Sequence, residues 1–237
     1  VFPRANWAFA LLSALNAALG LAGAWALLGR FVDGDRRVAA AALLALTPFY
    51  SFLAYKYNAN SIFLSLWPWT LYAFLTALRG RGLAASLGFG LMMGAALNSK
   101  YYALTLAASC LIAALASEER RRYFRSPSPY VSVAVALALW APHLIWLRET
   151  GAPPLRYLAR VSGRSYAETA FFALSAALGS LLQQILVLGL VAAAAWRRPP
   201  ADRALGAENR RLLWILALAP LILSVAAALA LRTKLSA

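Results

Sequence analysis

Acidic side chains are scarce in this chain. Among 237 residues there are eight Asp and Glu against 23 Lys and Arg, with one His and one Cys. The lone Cys110 lies inside an apolar run, so an intrachain disulfide is excluded and the thiol reads as packing. The lone His143 excludes a His-rich metal site. The few carboxylates form no catalytic pair, and no Walker loop, GxSxG or HExxH occurs anywhere in the chain. Six of the eight (Asp33, Asp35, Glu118, Glu119, Asp202 and Glu208) fall in the loops assigned to the inner side below. Only Glu149 and Glu168 fall on the other side, neither in a polar cluster suited to a general base.

What is abundant is apolar: 62% of residues are hydrophobic and 13% are charged. A single soluble core of this length saturates well below that apolar content. A bilayer needs it, at roughly 20 apolar residues for each spanning helix. The reading is an all-α, polytopic transmembrane helix bundle forming one domain over 1–237. About eight spans are expected, near 7–29, 38–55, 61–78, 83–98, 101–116, 130–147, 170–195 and 212–231. Two of these, 83–98 and 101–116, are short and flank Asn98-Ser99-Lys100. Two short helices meeting at a polar turn are expected there. One long helix would place an unpaired lysine at mid-bilayer, costing at least ~2.5 kcal/mol.

The net charge of +15 does not point to nucleic acid, because the cations sit in short loops between spans and not along one polar face. Starting the N-terminus outside puts 14 of the 23 Lys and Arg on the inner side, as positive-inside bias requires. The outer side keeps Lys56, Lys100, Arg148, Arg156 and Arg160 among others. Trp7, Trp67, Trp69, Trp146 and Trp196 lie near span ends, where amphipathic rings favour the interface. Small residues such as Gly88, Gly90 and Gly94 allow close helix packing. The chain opens without Met or a cleavage site and stops just after a span, and it is expected to be a piece of a longer protein.

Three outer segments carry unusual chemistry. Tyr55-Lys56-Tyr57-Asn58-Ala59-Asn60-Ser61 offers a cation for a phosphate, amides and a hydroxyl for sugar hydroxyls, and rings for a pyranose face. It reads equally as an interfacial anchor loop. Asn98-Ser99-Lys100-Tyr101-Tyr102 sets a lysine at a helix break, suited to a lipid-linked phosphate as a point charge. The alternative is a lysine snorkelling to the surface. Arg156 and Arg160, spaced four apart after Pro153-Pro154, share one face of a short interfacial helix that Gly163 should end. That helix serves either phosphates or simple connection. His143 in Trp140-Ala141-Pro142-His143 reads as a structural hydrogen-bonder, and Gln183-Gln184 as interhelical hydrogen-bonders.

These segments resemble the polytopic glycosyltransferases of family 39, the protein mannosyltransferase-like enzymes of GT-C fold. The carrying residues are 55–61 leading into Leu64-Ser65-Leu66-Trp67-Pro68-Trp69, then 88–97 running into Asn98-Ser99-Lys100-Tyr101, then Ala141-Pro142-His143-Leu144-Ile145-Trp146-Leu147. Within that group the chain looks most like the bacterial branch of aminoarabinose and galacturonic acid transferases that modify lipid A. The resemblance implies a polyprenyl-phosphate sugar donor, a lipid or glycan acceptor at the outer face of a bacterial inner membrane, and contact with membrane lipids. Under it, Lys56 and Lys100 would hold the donor phosphate, and Tyr57, Asn58 and Asn60 would face the sugar, beside Tyr101. Arg156 and Arg160 would steady the phosphate or an anionic acceptor. The family's acidic base lies in its first outward loop, which would precede Val1, so the 237-residue chain alone is expected to be inactive. Whether a divalent metal takes part stays open. The rival reading is a transporter or flippase for an anionic lipid or sugar phosphate. It predicts polar residues deep in several spans, of which Asn16, Gln183 and Gln184 are the few found. A membrane subunit without a ligand is the third.

Overall fold

The computed structural model describes residues 6–80, 82–163, 165–183, 185, 189 and 205–232. Among these the secondary structure is helical: α1 (Asn6–Leu28), α2 (Gly34–Ala45), α3 (Phe63–Leu78), α4 (Leu83–Ser99) and α5 (Ala103–Ala116). There follow α6 (Arg120–Arg125), α7 (Ser128–Glu149), α8 (Pro153–Val161), α9 (Tyr166–Gln183) and α10 (Ala207–Leu231). Three stretches are long and apolar enough to cross a membrane: Trp7–Leu28, Ser128–Glu149 and Ala207–Leu231. Three shorter apolar helices, α3, α4 and α5, stand between them. The expected span over 170–195 is described as α9 only to Gln183; most of the remainder, with Gln184, and the side chain of Gln183 lie outside the described residues.

One expected span takes a different form. The helix foreseen over 38–55 ends at Ala45, and a chain of turns replaces it to Tyr55. Pro48 is the cause: it brings no N–H, and it disfavours helical backbone at Thr47. The Thr47 hydroxyl donates to Leu44 O at 2.7 Å and the Ser51 hydroxyl to Thr47 O at 2.8 Å, satisfying carbonyls the helix no longer uses. The segment still climbs alongside α1. Arg37 donates to Trp25 O near the lower end of α1, and Ser13 Oγ donates to Tyr55 O near its upper end. The segment is therefore helical in one half and wound turns in the other. Such backbone is tolerated at membrane depth where protein covers it.

Helices in lipid gain little from mutual apolar burial, so close packing decides the bundle. One close seam joins α4 and α7. A Cβ on Gly90 would stand 2.6 Å from Ser132 O, and one on Gly94 would stand 2.9 Å from the Leu139 side chain. Ser132 Oγ donates across this seam to Ser86 O at 2.9 Å, and the Ser86 and Ser128 hydroxyls meet at 2.5 Å. The seam of α1 with α3 is built the same way, with Gly20 against Leu64 O and Gly23 against the Trp69 ring. Phe74, Leu75 and Leu78 of α3 are buried with Leu106 and Cys110 of α5 and Leu212 and Leu216 of α10.

At the arginine-rich end, α10 is tied down by charge. The Glu208 carboxylate accepts from Ser117 Oγ at 2.8 Å and from Glu118 N at 3.1 Å, and it pairs with Arg211. Arg79 donates to Asn209 Oδ1 at 2.7 Å. Replacing Glu208 by Ala strips the partners from Ser117 and Glu118 N. The expected cost is about 1 kcal/mol, since hydrogen bonds to a partly exposed charge are worth little more. Thermal unfolding in detergent checks this; an unchanged midpoint would show that Leu212 and Leu216 alone hold α10.

Candidate functional site

The opposite end of the bundle gathers the polar segments. α4 closes at Ser99, where Lys100 N still bonds to Ala96 O, and Lys100 then turns to extended backbone with φ −161° and ψ 143°. The next helix starts three residues on, so the expected pair of short helices around a polar break is what the chain forms. The break places Lys100 half-buried between the bundle and the loop 55–61. Its Nζ donates to Asn60 Oδ1 at 2.6 Å, and Ser99 Oγ donates to Ala59 O at 3.3 Å. Two segments 40 residues apart thus form one surface.

The loop 55–61 holds its shape by itself. Asn58 Oδ1 accepts from Asn60 N at 2.8 Å and from Ser61 N at 3.0 Å, while Asn58 N donates to Ser61 Oγ at 2.8 Å. This closed turn aims Asn60 at Lys100. Beneath it, Asn16 of α1 donates to Ser61 O at 2.7 Å and accepts from Ser65 Oγ at 2.6 Å. That network uses Asn16 as a structural tie between α1 and the start of α3. Tyr57 turns its ring edge to Phe9 of α1, with centroids 6.3 Å apart. Lys56 is exposed, its Nζ 5.7 Å from the centroid of the Tyr55 ring.

Tyr101 brings in the third segment. Its hydroxyl and His143 Nε2 are 2.7 Å apart. The His143 ring is stacked between Trp140 and Trp146, at 6.3 and 5.4 Å with interplanar angles of 20° and 27°. Asn98 Nδ2 fastens the same helices by donating to Leu139 O at 3.0 Å. Beside this ladder, Tyr102 stacks on Trp67 of α3 at 5.6 Å and 28°. Trp67 is therefore part of a wall next to Lys100 as well as a ring near a span end.

Of the residues singled out from sequence, Asn60, Lys100 and Tyr101 come together. Asn58 sits in the same loop with its carbonyl oxygen committed to the turn, and Tyr57 faces α1. Arg156 and Arg160 are exposed on α8, and Arg156 donates back to Thr150 O at 2.6 Å. No hydrogen bond or ion pair among the described residues links either arginine to Lys56 or Lys100. α8 ends at Val161, ahead of Gly163 with φ +92°. Glu168 caps α9, bonding Ser165 N while Ser165 Oγ accepts from Glu168 N at 3.1 Å.

His143, Tyr102 and Trp67 are the members of the cluster that composition undervalued. Their signal lay in the aromatic spacing Trp140-His143-Trp146, every third residue, which puts all three on one helix face. A half-buried lysine with no carboxylate partner among the described residues, held by an amide, can take an anion, and flat rings can take sugar or apolar groups. Among the described residues, no group of three or more His, Cys, Asp or Glu could hold a metal ion.

A family model described as dolichyl-phosphate-mannose-protein mannosyltransferase matches residues 1–146. That stretch contains all of the cluster, from loop 55–61 through His143. No curated protein and no solved structure matches the chain.

Proposed function

The chain belongs to the dolichyl-phosphate-mannose-protein mannosyltransferase family, and from that premise we propose that it moves a sugar from a polyprenyl-phosphate donor to a lipid or glycan acceptor. The reaction takes place at the lysine end of the bundle, on the outer face of a bacterial inner membrane. The observation that carries this reading is the meeting of Lys100 with Asn60 across a helix break, inside the stretch that matches the family.

The chemistry follows from the parts. Transfer forms a bond from the acceptor's hydroxyl oxygen to the sugar's anomeric carbon and breaks the bond from that carbon to the phosphate oxygen; the hydroxyl proton passes to a general base, and the phosphate leaves with an added negative charge. Lys100 supplies a positive charge at a fixed position. One of its three N–H bonds is held by Asn60, and two remain for phosphate oxygens. Such preorganised charge lowers the barrier because the leaving oxygen gains charge in the transition state. The Trp67–Tyr102 stack offers a flat wall for the sugar or the first isoprene units, and Tyr101 and His143 offer hydrogen bonds on the other side. Lys56 and the arginines of α8 draw anionic donor and acceptor toward this end. A lipid A-like acceptor fits this end of the chain, since exposed Arg156 and Arg160 suit a phosphorylated lipid.

The test is transfer in membranes that contain the full-length protein, supplied with labelled polyprenyl-phosphate sugars or with the corresponding nucleotide sugars. Transfer from the polyprenyl donors is expected. Use of nucleotide sugars in their place would overturn the reading. Tyr101→Phe, which removes one hydrogen bond and keeps the ring, is expected to slow transfer by roughly tenfold, the equivalent of about 1.4 kcal/mol.

A further inference from the structure

An apolar surface feature extends along α3 to the arginine-rich end of the bundle. A groove of about 530 Å³ runs between α1, α3 and α4, with Leu19, Trp69, Ala73, Ala85, Gly88 and Met92 on its walls. Its lining on α3 extends from Ser65 to Thr76. At 1.5 Å per residue that is about 16 Å, close to the depth of one leaflet of a hydrocarbon core roughly 30 Å thick. The walls are almost wholly apolar.

The arginine-rich end of the groove is closed by one cation. Arg30 donates to Thr76 Oγ1 at 2.7 Å, and its guanidinium lies 4.5 Å from the centroid of the Tyr72 ring. Thr76 and Tyr72 both line the groove. Arg30 is half-buried, and no carboxylate among the described residues lies within ion-pair distance of it. A fixed guanidinium with donors to spare, at the mouth of an apolar channel one leaflet deep, is complementary to one class of molecule. It needs an anionic phosphate at the membrane surface and a chain running inward.

We propose that this groove binds an anionic glycerophospholipid of the leaflet at the arginine-rich end, with its phosphate on Arg30 and one acyl chain along Gly88 and Ala85. The polarity separates it from the sugar donor. The donor's phosphate is placed at Lys100, at the opposite end, whereas this lipid enters from the Arg30 end. Bound there, it fills the space between α1 and α4 that no side chain occupies.

Native mass spectrometry of the purified protein with added phosphatidylglycerol tests this, with phosphatidylcholine as the neutral control. Two variants attack the site independently. Arg30→Ala removes the phosphate partner. Gly88→Phe fills the channel from a position where an added Cβ meets nothing within 4 Å. Each is expected to weaken phosphatidylglycerol binding by five- to tenfold. Arg121→Ala, which removes an exposed cation at the same end, and Lys100→Ala should leave it unchanged. An equal loss with Arg121→Ala would show general surface charge and overturn the site. So would unaltered binding in Gly88→Phe, or a loss in Lys100→Ala, which would identify the groove as the donor's own tail channel.

Discussion

Lys100→Ala is expected to lower sugar transfer by roughly a hundredfold to a thousandfold, the range found when one preorganised stabiliser of developing charge is removed. Lys100 is half-buried at the break between α4 and α5, and its only hydrogen-bond acceptor among the described residues is Asn60 Oδ1 at 2.6 Å. Nothing in the cluster neutralises it, so its charge is available to a phosphate. The donor phosphate is already an anion in the ground state, so KM for the donor should rise. The leaving phosphate carries still more charge, so kcat should fall as well. Lys100→Arg keeps the charge but replaces a compact ammonium by a planar fork, and it should recover only part of the rate. Asn60→Asp sharpens the test: it sets a carboxylate against Lys100, where it competes with the phosphate, and the donor KM should rise with the fold intact. Activity that survives both Lys100→Ala and Asn60→Asp would remove the lysine from the reaction.

The second large effect is on the fold. Gly90→Ala should destabilise the bundle by about 1–3 kcal/mol, the usual cost of forcing extra volume into a filled seam. The added carbon would stand 2.6 Å from Ser132 O and 2.7 Å from Val135 Cβ. The first of these is backbone, which no side-chain rotation can move aside, so α4 and α7 must separate. Those helices also carry the site: α4 ends at Lys100, and α7 holds His143 against Tyr101. Transfer should therefore fall along with stability. Gly88→Ala, two residues away, meets nothing within 4 Å and is the control. It should be neutral or gain up to about 1 kcal/mol from helix propensity. Equal thermal midpoints for the two variants would contradict the seam.

These contrasts show what local sequence can and cannot carry. The polar break at 98–100 was legible, because a lysine between two short apolar runs has few inexpensive homes in a membrane. The short helix of Arg156 and Arg160 and its end before Gly163 were legible from spacing and from glycine. The expected span 38–55 was drawn from hydropathy, which registers apolar content and not the effect of Pro48 on the backbone. The segment therefore forms a helix only to Ala45 and turns beyond it. The meeting of Asn60 with Lys100 could not be read, because it depends on α1 packing on α3 through Gly20 and Gly23 and on α3 packing on α4. A structural role of Asn58 was hidden for a similar reason. An amide that looked available for a sugar spends its oxygen closing the turn that aims Asn60. His143 looked isolated in sequence, and only the helix brings Trp140 and Trp146 to its faces and Tyr101 to its nitrogen. The family resemblance rested on these same segments, and the family match covers them; the finer assignment to lipid A chemistry rests on the proposal above.

The most direct measurement is the affinity of the purified protein for polyprenyl phosphate compared with the corresponding polyprenol, in the wild type and in Lys100→Ala. If Lys100 holds the donor phosphate, the wild type binds the phosphate at least tenfold more tightly than the alcohol, and Lys100→Ala loses that preference while still binding the isoprenoid chain. A wild type that does not distinguish the two, or a Lys100→Ala variant that keeps the full preference, would contradict a phosphate site at the break between α4 and α5.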